Sequence, residues 1–183
     1  MKNSLIFTSL ILSAILLFAS SCELESENGN SVRGVKALKL TENDVSGWKE
    51  DEDGYGEYNS ETLIDFVNGD APNYTINGLI EGIIQDISKS PRKGKLLVMD
   101  FGTEEAALSM YNDMSNRNSN MEKAGDYDIS TAQLDVSPSS GLYAYAHFKQ
   151  FYIEIRLTDF PDKSKSPEVA TSMIEVFEVK IMN

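Results

Sequence analysis

The chain has 183 residues, with 29 Asp or Glu against 16 Lys or Arg, a net charge of −13, a single His and a single Cys. That length holds one domain with its own core and is short for two. The acid excess argues against a nucleic-acid partner, because phosphate is neutralised by clustered Lys and Arg. One Cys excludes an intramolecular disulfide and any zinc site with two Cys ligands.

The N-terminus carries the most information. Lys2 gives a positive start, and an apolar run follows from Leu5 to Phe18, broken only by Thr8, Ser9 and Ser13. A bilayer-spanning helix needs about 20 apolar residues, so this run is too short. The small residues Ala19, Ser20 and Ser21 precede Cys22, and the chain turns abruptly acidic at Glu23. A positive end, a short apolar stretch and a small-residue site predict a signal peptide over residues 1–21.

Ala19-Ser20-Ser21-Cys22 resembles the lipobox of bacterial lipoproteins, with Ala19 where Leu is commonest. The resemblance implies that the Cys22 sulfur carries diacylglycerol, that palmitate-type chains hold the protein on a membrane, and that the address is the cell envelope, the outer membrane in particular. The same residues also satisfy an ordinary small-x-small cleavage site, which leaves Cys22 a free thiol. Residues 22–32 are polar and acidic and bury nothing, which predicts a flexible tether. About ten residues at up to ~3.5 Å each reach some 30 Å. An acidic stretch after the acylated Cys resembles the surface-export signals of Bacteroidota lipoproteins; periplasmic and surface faces both stay open.

Residues 33–183 read as the folded domain. Val32–Leu40 alternates imperfectly and predicts a first strand. Between Glu42 and Asp70 lie ten acids and one base, Lys49. Ser60 reads as an N-cap, Leu63, Ile64, Phe66 and Val67 as an apolar helix stripe, and Asn68-Gly69 as its left-handed C-cap. Leu79–Ile87 predicts a strand, Ser90–Gly94 a turn, and Leu96–Phe101 a strand buried on both faces. Thr103 caps a helix with Glu104 and Glu105 in its first turn, and Ala106, Ala107, Met110, Tyr111 and Met114 share one face. Asn116–Gly125 is a polar connection, Tyr127–Val136 a weakly alternating strand, and Pro138–Gly141 a turn.

The clearest element is a hairpin with Lys149-Gln150 as its loop. Phe148 then faces Phe151, Ala146 faces Ile153, Ala144 faces Ile155 and Leu142 faces Leu157. Opposed residues share a face, so every apolar pair lands together, and a one-residue slip breaks the match. The other face carries Tyr143 opposite Arg156, Tyr145 opposite Glu154, and His147 opposite Tyr152. Ser166-Pro167-Glu168 then reads as a cap, an N1 proline and a first-turn acid, opening a helix with Val169, Met173, Val176, Phe177 and Ile181 on one stripe. Helices and hairpins mix without regular βαβ crossovers. That predicts an α+β class: a single domain with a largely antiparallel sheet and about three helices packed on it.

Gly47-Trp48, Tyr58, the run from Leu63 to Tyr74 containing Asn68-Gly69-Asp70-Ala71, and Gly78 resemble the pattern of a domain family of exported bacterial proteins with no assigned activity. Its second block, a strand followed by Gly-Ser/Thr-x-Glu-x-Ala and a Tyr, resembles Gly102-Thr103-Glu104-Glu105-Ala106-Ala107 with Tyr111. Asp70 and Asn73 depart from that pattern, where Gly and an acid are common. The resemblance implies fold and export, and no reaction.

Candidate chemistry is sparse. His147 would have to be the base of any Ser-His-Asp arrangement, yet Gly-x-Ser-x-Gly is absent. Asp51-Glu52-Asp53-Gly54 fails as an EF-hand, because alignment on Gly54 puts Lys49 first and Ser60 last. No metal site and no cofactor is indicated. Glu61 and Asp65 form an i, i+4 acid pair of the sort that could act on a glycoside. Asn68 and Tyr74 border a turn whose amides could meet a ligand, although a helix C-cap explains Asn and Gly alone. The best binding surface is the hairpin face of Tyr143, Tyr145, His147, Tyr152, Glu154 and Arg156, unless a helix covers it. The expected function is a membrane-tethered, non-catalytic binding or accessory module of the envelope, recognising a small molecule, glycan or protein; the alternative is a carboxylate-dependent hydrolase of envelope polymers or glycans.

Overall fold

The computed structural model describes residues 34–67, 69, 71–117, 121–123, 132–137 and 141–183. Its strands are β1 (Lys49–Asn59), β2 (Glu81–Lys89), β3 (Arg92–Asp100), β4 (Met121–Lys123), β5 (Gln133–Ser137), β6 (Gly141–Phe148) and β7 (Phe151–Thr158); its α-helices are α1 (Ala71–Ile76), α2 (Glu104–Arg117) and α3 (Ser166–Met182). The strands form one sheet in the order β1-β2-β3-β7-β6-β5-β4, every neighbouring pair antiparallel. The fold is α+β, with Val32–Asn183 as one compact unit.

Period-two alternation divides the core into two layers. Leu96 and Val98 of β3, Ala144 and Ala146 of β6, and Ile153 and Ile155 of β7 pack under α3, which contributes Ala170, Met173, Ile174 and Phe177. Their neighbours Leu97, Met99, Tyr145 and Tyr152 face the other way, under Tyr74 of α1 and Met110, Tyr111 and Met114 of α2. The sheet is therefore covered on both sides. That explains why residues 96–99 are apolar without a break: Leu96, Leu97, Val98 and Met99 are all buried.

The β6–β7 register is the expected one, from Leu142 opposite Leu157 to Phe148 opposite Phe151. Lys149 adopts φ 50° in the loop, and its Nζ donates to the Ile181 carbonyl in the last turn of α3 at 2.9 Å. That bond offsets a conformation that favours Gly. Thr103 caps α2 as predicted, its Oγ1 accepting from Ala106 N at 3.2 Å.

Four expectations need correction. Asn116–Gly125 is not only a connection: α2 runs on to Arg117, and Met121–Lys123 is the edge strand β4, paired with β5. The described part of the expected first strand, residues 34–40, is not a strand: Val35–Leu38 is a 3-10 turn with Val35 and Leu38 buried at its i, i+3 spacing. The Gln85 side chain of β2 accepts from Leu40 N and donates to Leu40 O, replacing a strand neighbour. The helix expected from Ser60 is only a 3-10 turn, Leu63–Asp65. Asn59 rather than Ser60 holds its start, accepting from Glu61 N and Thr62 N. The helical turns fall instead at α1, where Pro72 sits near the start, beyond Gly69 at φ 85°. Ser166 is the first residue of α3 and not its cap; Lys165 holds that position, after the 3-10 turn Lys163–Lys165.

The acidic run is an edge strand. In β1, Glu50 opposes Ile87 and Tyr55 opposes Gln85, so four residues bulge out between them. Those residues are Asp51-Glu52-Asp53-Gly54, the segment that fails as an EF-hand in sequence. A charged, bulged edge resists pairing with another chain, which gives the local charge a structural reason. The predictions at Cys22, the signal and tether, Asn68, Asp70, and residues 118–120, 124–131 and 138–140 lie outside the described residues.

Candidate functional site

The hairpin face singled out in the sequence is a filled layer. Glu154 is fully buried, and Tyr152, Tyr145 and His147 are buried with it; Tyr143 and Arg156 lie at the margin and are partly exposed. The reason is positional. Gly69 at positive φ turns the chain into α1, which places Tyr74 over β7, and Gly102 at φ 74° turns it into α2, which lays Tyr111 on His147. Two glycine-led turns thus deliver the two tyrosines that close this face.

Glu154 organises what lies beneath. Its Oε2 accepts from the Tyr74 hydroxyl at 3.1 Å and the Tyr152 hydroxyl at 3.3 Å. Its Oε1 takes the Arg156 Nε at 2.5 Å. Both carboxylate oxygens are satisfied, as a charge at this depth requires. Burial would lower the Arg156 guanidinium, but the Glu154 charge and hydrogen bond outweigh it and raise it further. Burial pushes the Tyr152 hydroxyl far up, with Glu154 adding to the shift. Arg156 also lies over the Tyr143 ring, 5.4 Å from its centroid. Tyr143, Tyr145 and Tyr152 continue inward as a stack with centroids 6.5 and 6.3 Å apart. The cluster is a network of an ion pair and rings, and its carboxylate has no solvent-exposed surface to offer a substrate.

His147 is equally committed. Its ring lies 5.1 Å from that of Tyr111, and its Nδ1 is buried without a hydrogen-bond partner. Burial lowers its pKa, against a smaller upward pull from Glu104. A general base needs an oriented donor and a proton to take; this imidazole has an aromatic neighbour. The Glu61 and Asp65 pair is solvent-exposed. Among the described residues, no group of three or more His, Cys, Asp or Glu is placed to hold a metal.

Open volume lies across the sheet from that network. A cleft of about 470 Å³ is walled by the Asp44–Trp48 segment, the β2–β3 turn and the start of α3. Lys89 and Arg92 come from the turn, Lys165, Glu168 and Ser172 from the helix, and Trp48 and Val169 supply apolar surface. Gly47 builds one wall: at φ 77°, any Cβ would sit 3.0 Å from the Lys89 Cε. Lys89 Nζ donates to the Ser46 carbonyl at 2.9 Å. Arg92 lies 5.1 Å over the Phe160 ring, whose centroid is 6.3 Å from that of Trp48. Sequence reasoning singled out Gly47-Trp48 but not this cleft, because its cations come from segments more than seventy residues apart. Only the unusual Gly-Trp pair in an acidic run pointed near it.

No protein-family model matches the sequence. No curated protein matches it either. Among solved structures, the chain is similar to the extracellular domain of PknH from Mycobacterium tuberculosis, with 11% identity and a TM-score of 0.44 over 78% of this chain and 94% of that one. Among the described residues, no helix is long and apolar enough to cross a membrane.

Proposed function

We propose that this protein is an exported, lipid-anchored domain of the bacterial cell envelope, moored through Cys22 to the outer membrane and serving as a non-catalytic binding or accessory module. The observation that carries the reading is the N-terminal order: Lys2, the apolar run to Phe18, then Ala19-Ser20-Ser21-Cys22 and an acidic stretch. Acyl chains contribute about 0.8 kcal/mol per buried CH₂, and two or more chains hold a protein stably at a membrane. The described domain supports the binding half. Its most polar buried cluster, around Glu154, is closed by hydrogen bonds, and the accessible chemistry lies in a cleft of mixed charge and apolar surface.

The test is metabolic labelling of cells with a clickable fatty acid, followed by mass spectrometry of the purified chain. Labelled protein beginning at an acylated Cys22, with label lost in Cys22→Ala, is the expected result. A bare Cys22 thiol, or a chain that keeps its first 21 residues, overturns the anchoring.

A further inference from the structure

Even in a chain this acidic, only some of the described cations sit in ion pairs. Lys36, Lys39, Lys49, Lys95, Arg156 and Lys180 each meet a carboxylate. Lys89, Arg92 and Lys165 meet none among the described residues; Lys93, Arg117 and Lys149 are likewise without a carboxylate, but it is the first three that converge on a single cleft. Asp44, also on its wall, is occupied: Lys180 Nζ lies 2.9 Å from its Oδ2, and Thr41 donates to that same oxygen from both N and Oγ1. Asp162 feels Lys165 and Arg92, but it is exposed and accepts from Ser164 N and Oγ. The cations are therefore available for an anion. At physiological salt the distant acids are screened over about 8 Å, so the local charge decides.

The other lining groups narrow the class. Glu168 and Ser172 offer hydrogen-bond acceptors for hydroxyls, and half-buried Val169, backed by the buried Trp48 (4% exposed), offers an apolar wall for a ring. The volume lies within the range of small-molecule sites, roughly 300–1,000 Å³. We propose that this cleft binds a sugar acid, a uronic acid residue of an envelope or environmental glycan, with its carboxylate between Arg92, Lys165 and Lys89 and its ring against Val169, beside Trp48. A planar guanidinium takes a carboxylate through two parallel bonds, and Phe160 beneath Arg92 holds that plane. This deepens the binding reading given above. Its test is separable, since unlabelled Cys22 would end the anchoring and leave the cleft standing.

Trp48 is the sole tryptophan, so its fluorescence reports on the cleft. The full chain in non-ionic detergent is titrated with trigalacturonate, galactose and inorganic phosphate. A saturable change with trigalacturonate, and none with galactose at about 10 mM, is expected for a weak, charge-directed site. Arg92→Gln and Lys165→Gln should each weaken half-saturation about tenfold, the scale of one charge-assisted contact. Lys93→Gln, on the same strand but outside the cleft, should titrate as the parent does. Lys165 is exposed, so its variant remains a fair test if Arg92→Gln fails to fold. No saturable change in the parent overturns the proposal. So does a response to phosphate as strong as that to trigalacturonate, or charge variants that titrate like the parent.

Discussion

The Tyr74 hydroxyl meets the Glu154 carboxylate at 3.1 Å, across eighty residues of sequence. This one bond ties the short helix α1 to the central strand β7, and Arg156 completes the cluster from the same strand. Removing one partner of a buried pair leaves an uncompensated charge, at a cost of about 3 kcal/mol or more, whereas a lost neutral donor costs about 1–2 kcal/mol. Urea unfolding should therefore rank Arg156→Leu well below Tyr74→Phe. The double variant Glu154→Leu/Arg156→Leu should lose less than its two single changes summed. Additive losses would mean that the pair is not coupled.

Gly82 on β2 lies beneath the Tyr58 ring of β1: a Cβ there would stand 2.4 Å from two ring carbons. No rotamer change at position 82 relieves that contact, because the methyl is fixed to the backbone. Gly82→Ala should cost about 2–3 kcal/mol as overpacking, and Tyr58→Leu in that background should recover part of it. The Tyr58 hydroxyl itself is buried without a partner, and burial pushes its pKa far up, with the Glu154 charge adding. Tyr58→Phe removes an unsatisfied group and should leave thermal stability unchanged or raise it by about 1 kcal/mol. A loss of that size would reveal a bond to this oxygen.

The sequence showed best what local periodicity controls. The β6–β7 register followed from matching apolar pairs, since a slip would have sent Ala144, Ala146, Ile153 and Ile155 to the wrong layer. Thr103 and its acids marked the start of α2 for a similarly local reason. What stayed hidden depends on distant partners. Val32–Leu40 looked strand-like, but the Gln85 side chain satisfies Leu40 and allows a 3-10 turn. Whether the hairpin face was a surface or lay under a helix stayed open in the sequence, because its covering residues, Tyr74 and Tyr111, come from distant helices. The cleft's cations are legible as residues, but their convergence is a property of the tertiary fold.

His147 gives the fold a pH dependence with a definite sign. Burial against α2 holds its pKa below the ordinary 6.5, and this outweighs the pull of Glu104. Tyr111 and Tyr152, the other titratable groups facing it, stay neutral across this range, burial having raised both. The unfolded chain therefore binds its proton first as pH falls. The contribution of His147 is complete above about pH 6.5, declines as pH drops toward the folded value, and is flat below that. Urea midpoints taken from about pH 8 to pH 5 should fall more steeply for the parent than for His147→Gln, the difference opening below about pH 6.5. Parallel curves would show that the imidazole charges as easily in the fold as outside it.

The β6–β7 loop sets two small effects against each other at one residue. Lys149 holds φ 50°, a region that costs a side chain roughly 1–2 kcal/mol relative to glycine. Its Nζ bond to the Ile181 carbonyl returns part of that cost, since a cation at a helix C-terminus satisfies an orphan acceptor and complements the dipole. Lys149→Gly relieves the backbone and loses the bond, so its net change should be within about 1 kcal/mol of zero. Lys149→Ala keeps the strain and loses the same bond, so it should be the less stable of the two by about 1 kcal/mol. Thermal unfolding of the pair separates the terms. If alanine matches glycine, the backbone at this position is not strained, and the register rests on the apolar pairs alone.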